Sequence, residues 1–351
     1  MALVEPATKL DPSGRIDWSI DDILIHLRLW AAESRYLLPE QRALKLGSGS
    51  GCDVRLHDTT GQLSREHAMM IPELGRWQIR DLGSKNGLWV EGARTSASTL
   101  HAGATIQLGG VILVAESLGF IGLRSLACRF MGWAPERQAA IDEALQNLRD
   151  GAIRRTPIIL VGDDDLAPVA LRFHRVILGP RLPFVVYDGG DVAAAIGAAT
   201  PGTLCVRVRR HTSVSAIVDA VRGTEIAARP RLVLCASTVD EAATAVGTKP
   251  GRSAVIAVPS LATRGEELVR LVRELAQDIA AEMRAASSGF TMHDLERFQA
   301  IEFSGMADLE DSIRRVVAIR TWGVTAGAQR LGIKHSSLSQ WARNKKRRLS
   351  T

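Results

Sequence analysis

The sequence predicts a multidomain chain: an all-β sandwich first, an α/β domain in the middle and a small helical module at the C-terminal end. Three observations carry this. Short apolar runs separated by turn residues recur between residues 23 and 115, the pattern of many short strands. Between residues 157 and 258, runs of buried-strand type alternate with helical stretches, the pattern of a parallel sheet. Charge is unevenly spread: Ser312–Thr351 holds ten Lys/Arg and no Asp or Glu, and subtracting that +10 from the net +6 leaves −4 on residues 1–311. A weakly acidic body with a basic end is the electrostatic footprint of a nucleic-acid reader.

The length of 351 residues is that of two or three domains. A hydrophobic content of 46% and a charged content of 23% are those of an ordinary globular protein rather than a disordered or fibrous one. The cysteines, Cys52, Cys128, Cys205 and Cys235, are far apart and lack metal-site spacing. They read as reduced core thiols of a cytoplasmic protein. No basic-then-apolar signal opens the sequence and no apolar run reaches membrane length, so no membrane partner is expected.

Residues 1–20 read as a leader and 21–120 as the β domain. Its expected strands are Ile23–Trp30, Ala43–Leu46, His67–Ile71, Arg76–Arg80, Gly87–Val90, Thr105–Leu108 and Val111–Ala115. Trp77 and Ile79 alternate with Gln78 and Arg80, as in a half-buried strand. Within this region stand Leu46-Gly47-Ser48, Cys52-Asp53-Val54, Leu63-Ser64-Arg65-Glu66-His67 and Asp81-Leu82-Gly83-Ser84-Lys85-Asn86-Gly87. In order and spacing these motifs resemble the forkhead-associated (FHA) domain over about residues 22–117. FHA domains bind phosphothreonine peptides through loops at one end of a sandwich. The resemblance implies that Ser64 and Arg65 hold the phosphate, that Asn86 holds the peptide backbone with Lys85 beside it, and that His67 braces the loop from beneath. A hydroxyl and a guanidinium are good donors to a dianion. The sequence departs from the family at Ser48, where an arginine usually supplies a principal phosphate ligand. That loss removes a bidentate charged donor, and a sandwich kept as a phosphate-independent contact module is the alternative.

Residues 121–286 are expected to be the α/β domain. Glu136–Asp150 reads as an amphipathic helix, and Pro157–Val161, Pro183–Tyr187, Thr203–Val208, Arg231–Cys235 and Ala254–Val258 as strands. Ile158–Gly162, Phe173-His174, Pro183–Val185, Gly202–Val206 and Arg231–Ser237, followed by Asp294–Arg297 and Leu309–Arg315, resemble in order the AAA+ domain of sigma-54-dependent transcriptional activators. The catalytic parts are absent. A P-loop needs glycines and a lysine to reach the β- and γ-phosphates, whereas here the loop reads Gly162-Asp163-Asp164-Asp165-Leu166-Ala167-Pro168 and no lysine occurs between Lys85 and Lys249. Arg207 and Val208 stand where the Walker B acids belong, Thr238 at the sensor asparagine, and Ala307 or Asp308 at the lid arginine. The family's sigma-contact loop is missing. Asp163–Asp165 reads as a solvated cap rather than a metal site. His174 and His211 lack partners at ligand spacing and read as ordinary polar residues. No catalytic residue, cofactor or metal is expected. Residues 261–286 read as a long helix with a charged, solvated face.

Residues 287–320 read as a helical lid and the first helix of the terminal module, 321–351 as the module itself. In VTAGAQRLGIKHSSLSQW (324–341), Val324, Ala328 and Leu331 share a helical face, Gly332 suits a left-handed stop, and Ser336 and Ser337 can cap the next helix. This is helix-turn-helix patterning, and it resembles the Fis-type module. Lys334, His335, Ser336, Ser337 and Gln340 are expected to face DNA, with Arg343, Lys345, Lys346, Arg347 and Arg348 on phosphates. Leu338 and Trp341 are expected to face the module's own core. A single module contacts a short half-site, so a homodimer on double-stranded DNA is expected. The reading of the whole is a non-catalytic, sequence-specific transcriptional regulator that also takes a threonine-phosphorylated protein partner. The alternatives are a phosphopeptide-binding signalling adaptor and an active sigma-54-dependent ATPase.

Overall fold

The computed structural model describes residues 23–39, 42–154, 156–209, 213–225, 229–246 and 254–347. The leader 1–20, His211 and Arg348 lie outside the described residues. By internal contacts the chain forms two units, one holding residues up to Val161 together with Ala170–Ala257, the other Gly162–Val169 together with the residues from Val258 onward.

The first unit begins with a sandwich. Its strands are β1 (Leu24–Leu29), β2 (Arg35–Leu37), β3 (Leu44–Gly47), β4 (Val54–Arg55), β5 (Ala68–Glu73), β6 (Arg76–Asp81), β7 (Leu88–Val90), β8 (Ala93–Thr95), β9 (Ala97–Thr99), β10 (Thr105–Leu108) and β11 (Val111–Ser117). One sheet runs β2-β1-β11-β10-β7-β8 and the other β4-β3-β5-β6-β9. Alternation decides which side chains go inside: Trp77 and Ile79 of β6 are buried, and between the sheets they join Leu27, Leu46, Met70, Leu88, Ile106 and Leu113.

Two helices follow, α1 (Leu118–Met131) and α2 (Gln138–Arg154). Helix α2 buries Ile141, Ala144, Leu145 and Leu148, and within the same stripe it carries Asp142. That carboxylate meets Arg28 of β1, whose guanidinium donates to it at 2.6 and 2.9 Å and to Glu116 of β11 at 2.6 Å. Asp142 also accepts the Ala31 N–H at 2.8 Å and Arg124 Nε at 3.4 Å. Arg28, Glu116 and Asp142 are 0%, 0% and 1% exposed. Full burial with every charge paired fastens the sandwich to α1 and α2 through ionic hydrogen bonds that water does not screen.

The rest of the unit alternates strand and helix: β12 (Ile158–Val161), α3 (Ala167–Ile177), β13 (Phe184–Tyr187), α4 (Val192–Ala199), β14 (Thr203–Arg207), α5 (Val214–Gly223), β15 (Arg231–Ala236), α6 (Val239–Val246) and β16 (Ala254–Ala257). The sheet is wholly parallel in the order β13-β14-β15-β12-β16. Its strands are apolar without alternation because helices cover both faces. His174 is buried with Nδ1 2.9 Å from Thr203 Oγ1 and Nε2 3.0 Å from the Leu182 carbonyl, a structural histidine tying α3 to the sheet.

The second unit holds α7 (Glu267–Glu282), α8 (Met292–Gln299), α9 (Met306–Arg330) and α10 (His335–Arg347). The helix expected over 261–286 is shorter, since a 3-10 turn at Leu261–Thr263 precedes α7. Helix α8 opens on a capping box, with Thr291 Oγ1 accepting the Asp294 N–H at 3.2 Å and Asp294 accepting the Thr291 N–H at 3.0 Å. Arg320 of α9 adds donors to Asp294 at 2.9 and 3.0 Å. Burial alone would raise the Asp294 carboxyl, but these hydrogen bonds and the Arg320 charge hold it below its ordinary value.

Candidate functional site

Three loops meet at one end of the sandwich: 47–53 after β3, 56–67 before β5 and 82–87 before β7. The first two are zipped backbone to backbone, with Ser48 N–H donating to the Ser64 carbonyl at 3.1 Å and Gly49 N–H to the Arg65 carbonyl at 2.9 Å. Gly47 permits this, because a Cβ there would lie 2.2 Å from the Arg65 carbonyl oxygen. The second and third loops are tied through side chains. Lys85 N–H donates to Ser64 Oγ at 3.1 Å, and Asn86 Nδ2 donates to the Gln62 carbonyl at 2.7 Å. Beneath them lies His67, fully buried. Ser64 N–H donates to His67 Nδ1 at 3.2 Å, so the ring proton sits on Nε2 and bridges to the Gly87 carbonyl at 3.1 Å.

This arrangement brings Ser48, Ser64, Arg65, Lys85 and Asn86 to one rim. Arg65, Lys85 and Asn86 are exposed, whereas Ser48 and Ser64 are half-buried. Ser48 Oγ lies 3.4 Å from the Leu63 carbonyl. Among the described residues no carboxylate pairs with Arg65 or Lys85, whereas Lys45 nearby is neutralised by Glu66 at 2.8 Å and Arg42 by Asp53. The rim therefore presents two unneutralised cations, a hydroxyl and an amide, a set suited to a dianion.

Sequence reasoning missed the residue that shapes the middle loop. Asp58 accepts Thr60 Oγ1 at 2.6 Å and the N–H groups of Thr60, Gln62 and Leu63 at 2.7–2.9 Å. The Thr60 hydroxyl, followed by these amides, holds its carboxyl well below the usual carboxylate range. The available signal was Asp58-Thr59-Thr60-Gly61, a turn-forming run.

At the loop after β12, Asp165 accepts the Ala167 N–H at 3.1 Å. Asp164 packs against Gly305, where a Cβ would lie 3.1 Å from its Cγ, and burial followed by the Asp163 charge pushes its carboxyl up. Arg207 is bound to Asp188 at 2.6 and 2.8 Å, and Thr238 Oγ1 accepts the Glu241 N–H at 3.1 Å.

In the terminal module α9 breaks at Gly323 (φ 74°) and resumes to Arg330. Its end closes with Gly332 in the left-handed region (φ 66°), Gly332 N–H donating to Gln329 at 3.1 Å and Ile333 N–H to Ala328 at 3.0 Å. The next helix opens at His335, with Leu338 N–H bonded to the Lys334 carbonyl at 3.2 Å. Ser336 and Ser337 thus lie in its first turn instead of capping it, a correction of two to three residues. Ala328 and Leu338 are buried, while Trp341 is half-buried under the Arg315 guanidinium at 5.5 Å. Lys334, His335, Ser336, Ser337, Gln340 and Arg343 are exposed. Lys345, Lys346 and Arg347 continue the helix backbone.

Comparison with known proteins adds a name to the sandwich. Residues 44–109 match the family profile of the FHA domain, and that part of the chain is an FHA domain. Over 72 residues the chain is 36% identical to the ABC transporter ATP-binding/permease protein Rv1747 of Mycobacterium tuberculosis, covering 20% of this chain and 8% of that one. Over 83 residues it is 36% identical to the glycogen accumulation regulator GarA of Mycolicibacterium smegmatis, covering 24% of this chain and 51% of that one. The chain thus spans about half or less of the curated relatives' length. Among solved structures, the FHA domain of the CT664 protein from Chlamydia trachomatis is 32% identical over 26% of this chain and 95% of its own, with a TM-score of 0.24. EmbR of M. tuberculosis, in complex with a low affinity phosphopeptide, is 25% identical over 31% of this chain and 27% of its own, with a TM-score of 0.25. Among the described residues no helix is long and apolar enough to cross a membrane.

Proposed function

We propose that the chain is a non-catalytic signalling protein whose FHA domain captures a threonine-phosphorylated partner. One observation carries this: in an FHA domain, Ser64, Arg65, Lys85 and Asn86 share a rim whose loops are tied together by hydrogen bonds, with neither cation paired to a carboxylate among the described residues. Zipped loops lose little freedom on binding, which favours affinity from few contacts. The 36% identity to GarA, which is named a regulator, supports a regulatory role. The test is retention of the full chain by phosphothreonine peptides against their unphosphorylated twins.

The α/β domain serves in this reading as a scaffold without nucleotide. Asp163–Asp165 repels polyphosphate where a P-loop attracts it, and Arg207 is engaged with Asp188. Calorimetric titration with ATP and Mg²⁺ should therefore show no micromolar binding. Stoichiometric uptake, or turnover that Asp164→Ala or Arg207→Ala abolishes, would overturn the scaffold role.

A second reading, that the terminal module binds DNA in a sequence-specific way and as a dimer, is favoured by its closed turn at Gly332 and by the exposure of Lys334, His335, Ser336, Ser337 and Gln340 around a buried Leu338. Gln340 has the amide geometry to pair with adenine N6 and N7. Gln340→Ala should cost about 1–3 kcal/mol on the preferred site and relax specificity at one position. Lys346→Ala should weaken binding to all sequences alike and reduce the salt slope by about one. Equal losses on specific and random DNA for both variants would reduce the module to an electrostatic tether.

A further inference from the structure

The outer face of the sheet that carries β7 has a feature unrelated to the sandwich core. Trp89 of β7 pairs across with Gln107 of β10, and Gln107 with Ile112 of β11. Trp30, at the end of β1, donates its backbone N–H to the Ile112 carbonyl at 3.0 Å. Four outward residues thus form one row across four adjacent strands. At about 4.8 Å per strand the row is roughly 14 Å long. Trp89 is 37% and Ile112 36% exposed, and Trp30 is half-buried. The tryptophan and isoleucine on this strand face leave apolar surface open to solvent, and such residues gathered in one place mark an interaction surface. The row forms the floor of a groove of about 350 Å³ that Gln146 and Asp150 of α2 complete. Gln146 is pinned by donating to the Gly103 carbonyl at 2.7 Å.

Two observations say what would lie in it. The first is continuity with the rim: the Trp89 indole N–H donates to the Asn86 carbonyl at 3.4 Å, so the groove starts beside a residue of the recognition loops. The second is charge. The rim is cationic through Arg65 and Lys85, whereas the groove edge carries Asp150, exposed and without a paired cation among the described residues, and Glu91, which Arg149 neutralises.

We propose that this groove holds a second stretch of the same phosphorylated partner, an extended segment with an apolar side chain on Trp89, Ile112 and Trp30 and a Lys or Arg beside Asp150. The inference rests on the phosphothreonine reading of the rim and deepens it into a sequence preference. Trp89 lies three residues along the chain from Asn86, at most about 10 Å. An extended peptide at about 3.3 Å per residue therefore enters the groove about three residues from the phosphothreonine and crosses it in about four more. Two linked contacts on one ligand multiply, because the second forms within the first complex.

The test uses the full chain and fluorescence anisotropy with three probes. One is a short phosphothreonine peptide flanked by alanine; the others add a Leu-Leu-Lys segment four to six positions before or after the phosphothreonine. One extended probe should bind about tenfold tighter than the short one. That gain should vanish in Ile112→Thr and Asp150→Lys, with short-probe affinity unchanged in both. Asp150→Lys should instead prefer a Leu-Leu-Glu probe, a reversal that a merely structural role would not produce. If the short probe binds and neither extension helps, or if the gain survives both substitutions, the groove is not a peptide site while the rim reading stands. If no phosphothreonine probe binds, the rim reading fails and the groove proposal with it.

Discussion

Asp142→Ala should lower the unfolding free energy of the first unit by about 3–5 kcal/mol, the usual consequence of stripping one partner from a buried ion pair. The carboxylate accepts two bonds from Arg28, one from Arg124 and one from the Ala31 N–H, all out of water. Its removal leaves two guanidinium groups short of an acceptor: Arg28 keeps Glu116 as its one buried carboxylate, with the Leu29 and Ala32 carbonyls beside it. A hydrophobic replacement of Arg28 with both its carboxylates behaves differently, because the most buried cation goes with its partners while Arg124 keeps Glu33 and Gln138 as acceptors: Arg28→Met, Glu116→Leu and Asp142→Leu together should cost less than Asp142→Ala alone. Urea unfolding followed by tryptophan fluorescence measures both. A loss under 1 kcal/mol for Asp142→Ala would mean that the network is solvated and does not fasten the sandwich to α2.

Ser48→Arg should raise affinity for phosphothreonine peptides about ten- to a hundredfold, since one hydrogen bond to a charged group contributes about 1.5–3 kcal/mol. The backbone needed for it is in place: Ser48 N–H is bonded to the Ser64 carbonyl, so a side chain at 48 emerges beside Ser64 and Arg65. Ser48 is only half-buried, and a longer side chain has room toward solvent. Unphosphorylated peptides should gain little. Unchanged phosphopeptide affinity, measured by calorimetry, would show that the rim does not receive the phosphate at this corner.

Much of this architecture is legible in the sequence, and the exceptions have physical causes. The long strands of the sandwich and the strands of the parallel sheet fall where apolar patterning places them, because burial on one face or both writes itself into residue order. Four short strands, Arg35–Leu37, Val54–Arg55, Ala93–Thr95 and Ala97–Thr99, escape. Two or three residues, mostly exposed, are too few to show a period. The Arg28–Glu116–Asp142 network escapes because Arg28 lies 88 residues from Glu116 and 114 from Asp142. One trace of it was available: Asp142 sits between Ile141 and Leu145 on the buried stripe of α2, where an acid is out of place. The rim residues were accessible through motif order alone, whereas Asp58 and Trp89 act through bonds that only the folded loops reveal. At Ser336 and Ser337 the capping preference pointed two to three residues too late, since the Lys334 carbonyl already accepts the first helical bond.

The central claim is that the FHA rim recognises a phosphorylated threonine. Its most direct measurement is retention of the full chain on an immobilised phosphothreonine peptide library, on the same library after phosphatase treatment, and on both with the Ser64→Ala/Arg65→Ala double variant. The expected result is retention that phosphatase treatment removes and that the double variant lacks. Equal retention on the treated library, or retention that the double variant keeps, would contradict a phosphate-reading rim.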